Sequence, residues 1–182
     1  MADCAANIST PMIGIAGWSN CGKTTLIEKL AAHFSAKGLR VATIKHTHHK
    51  FDIDRPDSDT ARHRRAGASE SAIVSGSRVA VIEEIATRGE PSLEEVARRL
   101  KPADIIFVEG YKSAHIPKIE VRRQAVAGER LLAATDPLII GIAADHDLDG
   151  YGKPVLALDD VAGIAGLIET VLGPFDAVRQ RA

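Results

Sequence analysis

The chain has 182 residues, 45% of them hydrophobic and 26% charged, with a formal net charge of −1. That length suits one domain with a sizeable core. The near-neutral balance excludes the electrostatic footprint of a general nucleic-acid or membrane-surface binder.

The elements follow in chain order. Met1–Pro11 lacks the basic and apolar regions of a secretory signal and is read as a tail. Met12–Ala16 is a short apolar run of strand type. After a glycine-rich stretch, Leu26, Ile27, Leu30, Ala31 and Phe34 recur at helical spacing up to about Lys37. Gly38 supplies the stop. Arg40–Lys45 is a second strand, followed by an aperiodic polar segment from His46 to Ser58. Thr60–Ala66 reads as a short charged helix. Ser71–Ser75 and Val79–Glu83 read as two strands joined by a tight turn at Gly76-Ser77. Ser92, with Glu95 three residues on, opens the next helix as a capping box. Ile105–Val108, Pro137–Ala144 and Pro154–Leu158 are apolar strands. Val161, Ile164, Ala165, Ile168, Val171 and Leu172 form one face of the last helix, which Gly173-Pro174 ends. Residues 12–173 are taken as one domain and 174–182 as a second tail.

Continuous apolar strands between amphipathic helices predict an α/β fold, a three-layer sandwich with a mostly parallel sheet. Two pieces do not fit a plain repeat, the pair within Ser71–Glu83 and the segment Lys118–Arg123. Both are expected to form an antiparallel extension, or an edge that pairs with another chain. No run approaches the roughly 18 apolar residues needed to span a bilayer. The two cysteines, Cys4 and Cys21, are read as free thiols of a reducing compartment, since a disulfide between them would disable the glycine-rich loop. The expected location is cytoplasmic.

The sharpest motif is Gly17-Trp18-Ser19-Asn20-Cys21-Gly22-Lys23-Thr24, which fits G-x-x-x-x-G-K-[ST] without a mismatch. It follows a predicted strand and opens a predicted helix, the context a P-loop requires. Gly17 and Gly22 let the backbone turn close to phosphate. Backbone N–H groups from Asn20 to Thr25 converge at the positive end of the helix dipole. Lys23 is a point charge for the β- and γ-phosphates, and the Thr24 hydroxyl is placed to ligate Mg²⁺. Thr25 is assigned to the α-phosphate. Trp18, the only Trp in the chain, either covers the nucleotide or packs on the sheet edge.

A P-loop needs an acidic partner at the carboxyl end of a nearby strand, where ligands of such sheets bind. Glu109 ends the run Ile105–Val108 and is assigned that place, holding Mg²⁺ or its water shell or orienting an attacking water. Asp104 lies at the opposite end of the same strand. The loop from His46 to Asp59 carries His46, His48, His49, Asp52, Asp54, Asp57 and Asp59. Mg²⁺ coordination through water by Asp54 or Asp59, transition-metal binding by the histidines, and a solvated polar loop all stand as readings. No N-K-x-D is present for guanine. Asp145 and Asp147 follow the strand Pro137–Ala144 and could do that work, or simply belong to a solvent-exposed loop.

These residues together resemble a known family. G-W-S-N-C-G-K-T-T-L from Gly17, I-K-H ending at His46 with H-H after it, R-R-A-G-A at Arg64–Ala68 and V-E-G-Y-K at Val108–Lys112 are similar to the molybdopterin-guanine dinucleotide biosynthesis protein B (MobB) family. The resemblance covers roughly Met12–Arg122. It implies a GTP-binding homodimer of the P-loop class with weak GTPase activity, using GTP and Mg²⁺. Such a protein assists a guanylyltransferase partner that joins GMP to molybdopterin, and molybdopterin itself is a candidate contact. By position, Gly17–Thr25 bind phosphate, Lys23 and Glu109 serve hydrolysis, Thr24, Asp59 and Glu109 serve Mg²⁺, and Lys112 belongs to the strand-end motif. One departure is visible. The family's P-G-K-D-S is replaced by Pro56-Asp57-Ser58-Asp59-Thr60, so a positive charge is absent at Ser58. A metal-delivery GTPase using the His46–Asp54 loop and a P-loop small-molecule kinase with lid arginines Arg62, Arg64 and Arg65 remain alternatives.

Overall fold

The structure, a computed structural model, describes residues 10–47, 51–85, 88–126 and 130–175. Cys4, His48, His49 and most of both expected tails lie outside the described residues. In chain order the elements are β1 (Met12–Ala16), α1 (Lys23–Ala36), β2 (Val41–Lys45), α2 (Asp59–Arg65), β3 (Glu70–Val74), β4 (Val79–Glu83), α3 (Leu93–Arg99), β5 (Ile105–Glu109), β6 (Lys118–Arg122), β7 (Ile139–Ala144), β8 (Val155–Ala157) and α4 (Val161–Leu172). They fall into two compact units, one running to His46 and resuming at Leu93, the other the insertion Thr47–Ser92.

The first unit is a six-stranded sheet in the order β2-β5-β1-β6-β7-β8, and every pairing in it is parallel. Side chains alternate across a strand, so a parallel strand buried on both faces reads as an unbroken apolar run. In β5, Ile105 and Phe107 join the cluster made with Leu26, Leu30 and Phe34 of α1 and Ile164 and Ile168 of α4. Ile106 and Val108 join Leu93 and Ala97 of α3 on the opposite face. These are the two interfaces of a three-layer α/β sandwich, as the sequence predicts.

Lys118–Arg123 differs from expectation. Instead of an edge or an antiparallel extension, β6 is an interior strand, parallel to β1 on one side and to β7 on the other. Ile119 and Val121 enter the α1–α4 core. Lys118, Glu120 and Arg122 are buried as well. The charges of Lys118 and Glu120 are met locally, which makes their burial tolerable. The Lys118 ammonium donates to Asp136 at 3.1 Å. The Glu120 carboxylate accepts the backbone N–H groups of Leu132 and Ala133 at 2.9 and 2.8 Å.

In the second unit β3 and β4 form an antiparallel hairpin, with Ala72 opposite Val81 and Val74 opposite Val79. Helix α2 is capped by Ser58, whose Oγ accepts from the Ala61 N–H at 3.2 Å. Arg64 is the hub of this unit. Its guanidinium forks onto Asp54 at 2.8 and 3.0 Å and reaches Glu84 through Nε at 2.9 Å. Ser58 and Thr60 hydroxyls also donate to Asp54. Arg64 holds the Asp54 carboxyl far below the usual carboxylate range, helped by Thr60 and then Ser58 and opposed by burial.

Among the described residues no helix is long and apolar enough to cross a membrane.

Candidate functional site

Strand β1 delivers the chain to the carboxyl edge of the sheet at its centre, and the glycine-rich loop turns there into α1. Gly17 has φ +140°, and a Cβ on it would meet the Val121 carbonyl oxygen at 2.6 Å and Cys21 Sγ at 2.7 Å. The loop therefore lies against β6 as closely as glycine allows. Gly22, at φ 99°, caps α1 without any side-chain hydrogen bond. By contrast α2 is capped by Ser58 and α4 by Asp160. The opening N–H groups of a helix have no partner within it, so α1 presents donors and the positive end of its dipole at this point.

Lys23, the first residue of α1, donates from Nζ to the Trp18 carbonyl at 2.7 Å and stands 3.9 Å from Cys21 Sγ. Its charge thus spans the loop. Asn20 has φ 60°, the left-handed conformation that Asn tolerates better than most residues. Trp18 Nε1 donates to the Arg130 carbonyl at 2.9 Å, and Lys112 Nζ lies 4.3 Å from the centre of its ring. Trp18 and the strand-end motif carrying Lys112 therefore meet.

Glu109 ends β5, opposite Ile15 of β1 and Lys45 of β2. The Thr24 hydroxyl donates to its carboxylate at 3.3 and 3.4 Å. Lys45 Nζ is 3.6 Å from the same carboxylate. A hydroxyl and a carboxylate are hard oxygen donors, the kind Mg²⁺ takes one or two of from protein beside phosphate and water. The pair fits that ion. Asp104 lies at the far end of β5, where it accepts the Arg40 N–H at 2.6 Å.

The remaining candidates have other partners. Asp59 belongs to the second unit, in the first turn of α2, exposed and 3.7 Å from Arg62. Asp54 is committed to Arg64, Ser58 and Thr60, so its oxygens are already occupied. Ser58, where the family pattern has Lys, is the α2 cap. Of the arginines proposed for a kinase lid, Arg64 is buried on Asp54 and Arg65 donates to the Pro56 carbonyl. His46 packs its ring 4.5 Å from that of Tyr111. Among the described residues no group of three or more His, Cys, Asp or Glu is placed to hold a metal ion.

Two features went unread in the sequence. Lys45 faces Glu109 because β2 pairs with β5, an adjacency that sequence order hides. Arg123 follows β6, and a Cβ on Gly22 would stand 3.1 Å from its Nε. That Nε is buried and makes no hydrogen bond among the described residues. Recognising β6 as an interior parallel strand would have placed Arg123 at the ligand edge.

With β1 running through a glycine-rich loop into α1 at the centre of a parallel sheet, the chain has a P-loop NTPase-like α/β fold. The model of the family described as "Molybdopterin guanine dinucleotide synthesis protein B" matches residues 12–145, and the chain belongs to that family. It is 34% identical over 166 residues to the molybdopterin-guanine dinucleotide biosynthesis adapter protein of Escherichia coli K12, covering 90% of this chain and 94% of that one. The adapter protein of the same name from Haemophilus influenzae is 33% identical over 175 residues, covering 95% and 96%. The crystal structure of a MobB protein homolog from Bacillus stearothermophilus shares the fold with a TM-score of 0.64 at 24% identity, covering 88% of this chain and 97% of that one.

Proposed function

We propose that the chain is a GTP-binding adapter with weak GTPase activity, assisting a guanylyltransferase in attaching GMP to molybdopterin. The observation that carries the reading is the meeting of Thr24 and Glu109 beside the uncapped start of α1. Residues Gly17, Trp18, Ser19, Asn20, Cys21, Gly22, Lys23, Thr24 and Thr25 would wrap the triphosphate in backbone N–H groups. Lys23 would exchange the Trp18 carbonyl for the β- and γ-phosphates, a stronger, charge-assisted bond. Thr24 and Glu109 would hold Mg²⁺, which supplies charge neutralisation on the transferring phosphoryl oxygens. Glu109 would also orient an attacking water. One carboxylate shared with Lys45 accords with slow turnover.

The homodimer implied by the family has a surface to use. Val74, Val79 and Val81 share one face of the β3–β4 hairpin and are 70, 67 and 62% exposed. A two-stranded sheet with an uncovered apolar face is marginal alone, and a second copy of this chain would cover it.

The test is Trp18 fluorescence during titration with GTP and ATP, each with and without Mg²⁺. A selective, Mg²⁺-linked response to GTP is expected, followed by stimulation of the partner guanylyltransferase. Preference for ATP would overturn the reading.

A further inference from the structure

A cavity of about 590 Å³ opens beside the glycine-rich loop, lined by Gly22 and Thr25 at the start of α1, Arg123 after β6, Asp145 and Asp147 after β7, and Leu156 of β8. Sheet order explains its position. Strand β7 lies two places from β1, which at about 4.8 Å per strand is roughly 10 Å, the scale of a nucleoside. Phosphates seated on Gly22–Thr25 would leave the sugar and base in this cavity.

Its polar chemistry is selective. Asp145 is fixed in place, with Oδ1 accepting the Gln124 N–H at 2.8 Å and the His146 Nδ1–H at 2.9 Å. Its side chain stands among the residues that line the cavity. An ionised carboxylate only accepts. Guanine offers two adjacent donors, N1–H and the 2-amino group. Adenine offers a bare N1 acceptor and no 2-amino group, so its lone pair would face a negative charge. Leu156 gives an apolar wall for a purine face, and the planar Arg123 guanidinium is suited to stack or to meet the α-phosphate.

We propose that Asp145 selects guanine over adenine, in a purine pocket between the start of α1 and the ends of β7 and β8. The proposal rests on the GTP-binding reading above and names the residue that would give it its base preference.

The test compares affinities of wild type and Asp145→Asn for GTP, ATP, xanthosine triphosphate and inorganic tripolyphosphate, all with Mg²⁺. Asn keeps an oxygen for the Gln124 N–H but presents an amide. It would donate to the 2-carbonyl of xanthine and lose the charge that favours guanine. The variant should lose roughly 10- to 100-fold in GTP affinity, gain affinity for xanthosine triphosphate, and hold tripolyphosphate as wild type does. Unchanged GTP preference in the variant would overturn the assignment while leaving the GTP-binding reading intact. Wild type that does not favour GTP over ATP would overturn both. A second measurement needs no variant. Inosine triphosphate, which lacks the 2-amino group, should bind wild type on the order of 10-fold more weakly than GTP, and equal affinity would overturn the assignment.

Discussion

Thr24 and Glu109 stand 85 residues apart in sequence and meet at 3.3 Å, the hydroxyl of one donating to the carboxylate of the other. The contact exists because β1 pairs with β5 in parallel, bringing the carboxyl ends of both strands to one edge. On the function proposed above, a triphosphate and its Mg²⁺ would be held at this contact.

Glu109→Gln keeps the side-chain shape and removes the charge. Mg²⁺-dependent GTP hydrolysis should fall by on the order of 10- to 100-fold, while GTP affinity falls less. Single-turnover hydrolysis and equilibrium titration separate the two. Equal losses in both would assign Glu109 a purely structural bond to Thr24.

Lys23→Ala removes the charge that spans the loop. Triphosphate affinity should drop on the order of 100-fold, from loss of charge-assisted bonds. Far-UV circular dichroism should stay unchanged, because Lys23 is not part of the α1 core. A folded variant with wild-type affinity would refute the phosphate assignment.

Gly17→Ala places a methyl group 2.6 Å from the Val121 carbonyl oxygen and in a backbone conformation that L residues rarely adopt. The loop must shift away from β6, at a cost of about 1–3 kcal/mol. Thermal unfolding should show a lower Tm, and triphosphate affinity should fall with it. An unshifted Tm would mean that the loop has slack which the close contact does not suggest.

The Asp54–Arg64 pair gives a pH signature. Asp54 takes up its proton less readily in the folded chain than in the unfolded one. Its ionised form therefore stabilises the fold at any pH above the unfolded value of about 4, and the contribution is lost as pH falls below that. Asp54→Asn should melt at a lower temperature than wild type at pH 7, with the gap narrowing from about pH 4 downward. A gap that stays constant across that range would show that the carboxylate charge contributes nothing.

Strands β1, β5 and β7 are legible because burial on both faces leaves an unbroken apolar run, and α1 because Leu26, Ile27, Leu30 and Phe34 keep its period. The loop motif and Glu109 follow from those elements by position alone. Strand β6 misleads because Lys118, Glu120 and Arg122 alternate with apolar residues, the pattern of a strand with one wet face. What reverses that inference is Asp136 and the Leu132 and Ala133 amides, partners that only the folded chain brings into reach. Sheet order is equally hidden. Lys45 against Glu109, and Arg123 beside Gly22, depend on which strands become neighbours.

Helix α1 begins at the glycine-rich loop and lays its inner face on the main core, where Leu30 and Phe34 have no exposed surface. Any anion gripped by its first turn is thus tied to the cooperative unfolding of the whole sheet. Occupancy at about 100 times the dissociation constant would add roughly 2.7 kcal/mol to the stability of that unit. Heat resistance would then gauge how full the glycine-rich loop is.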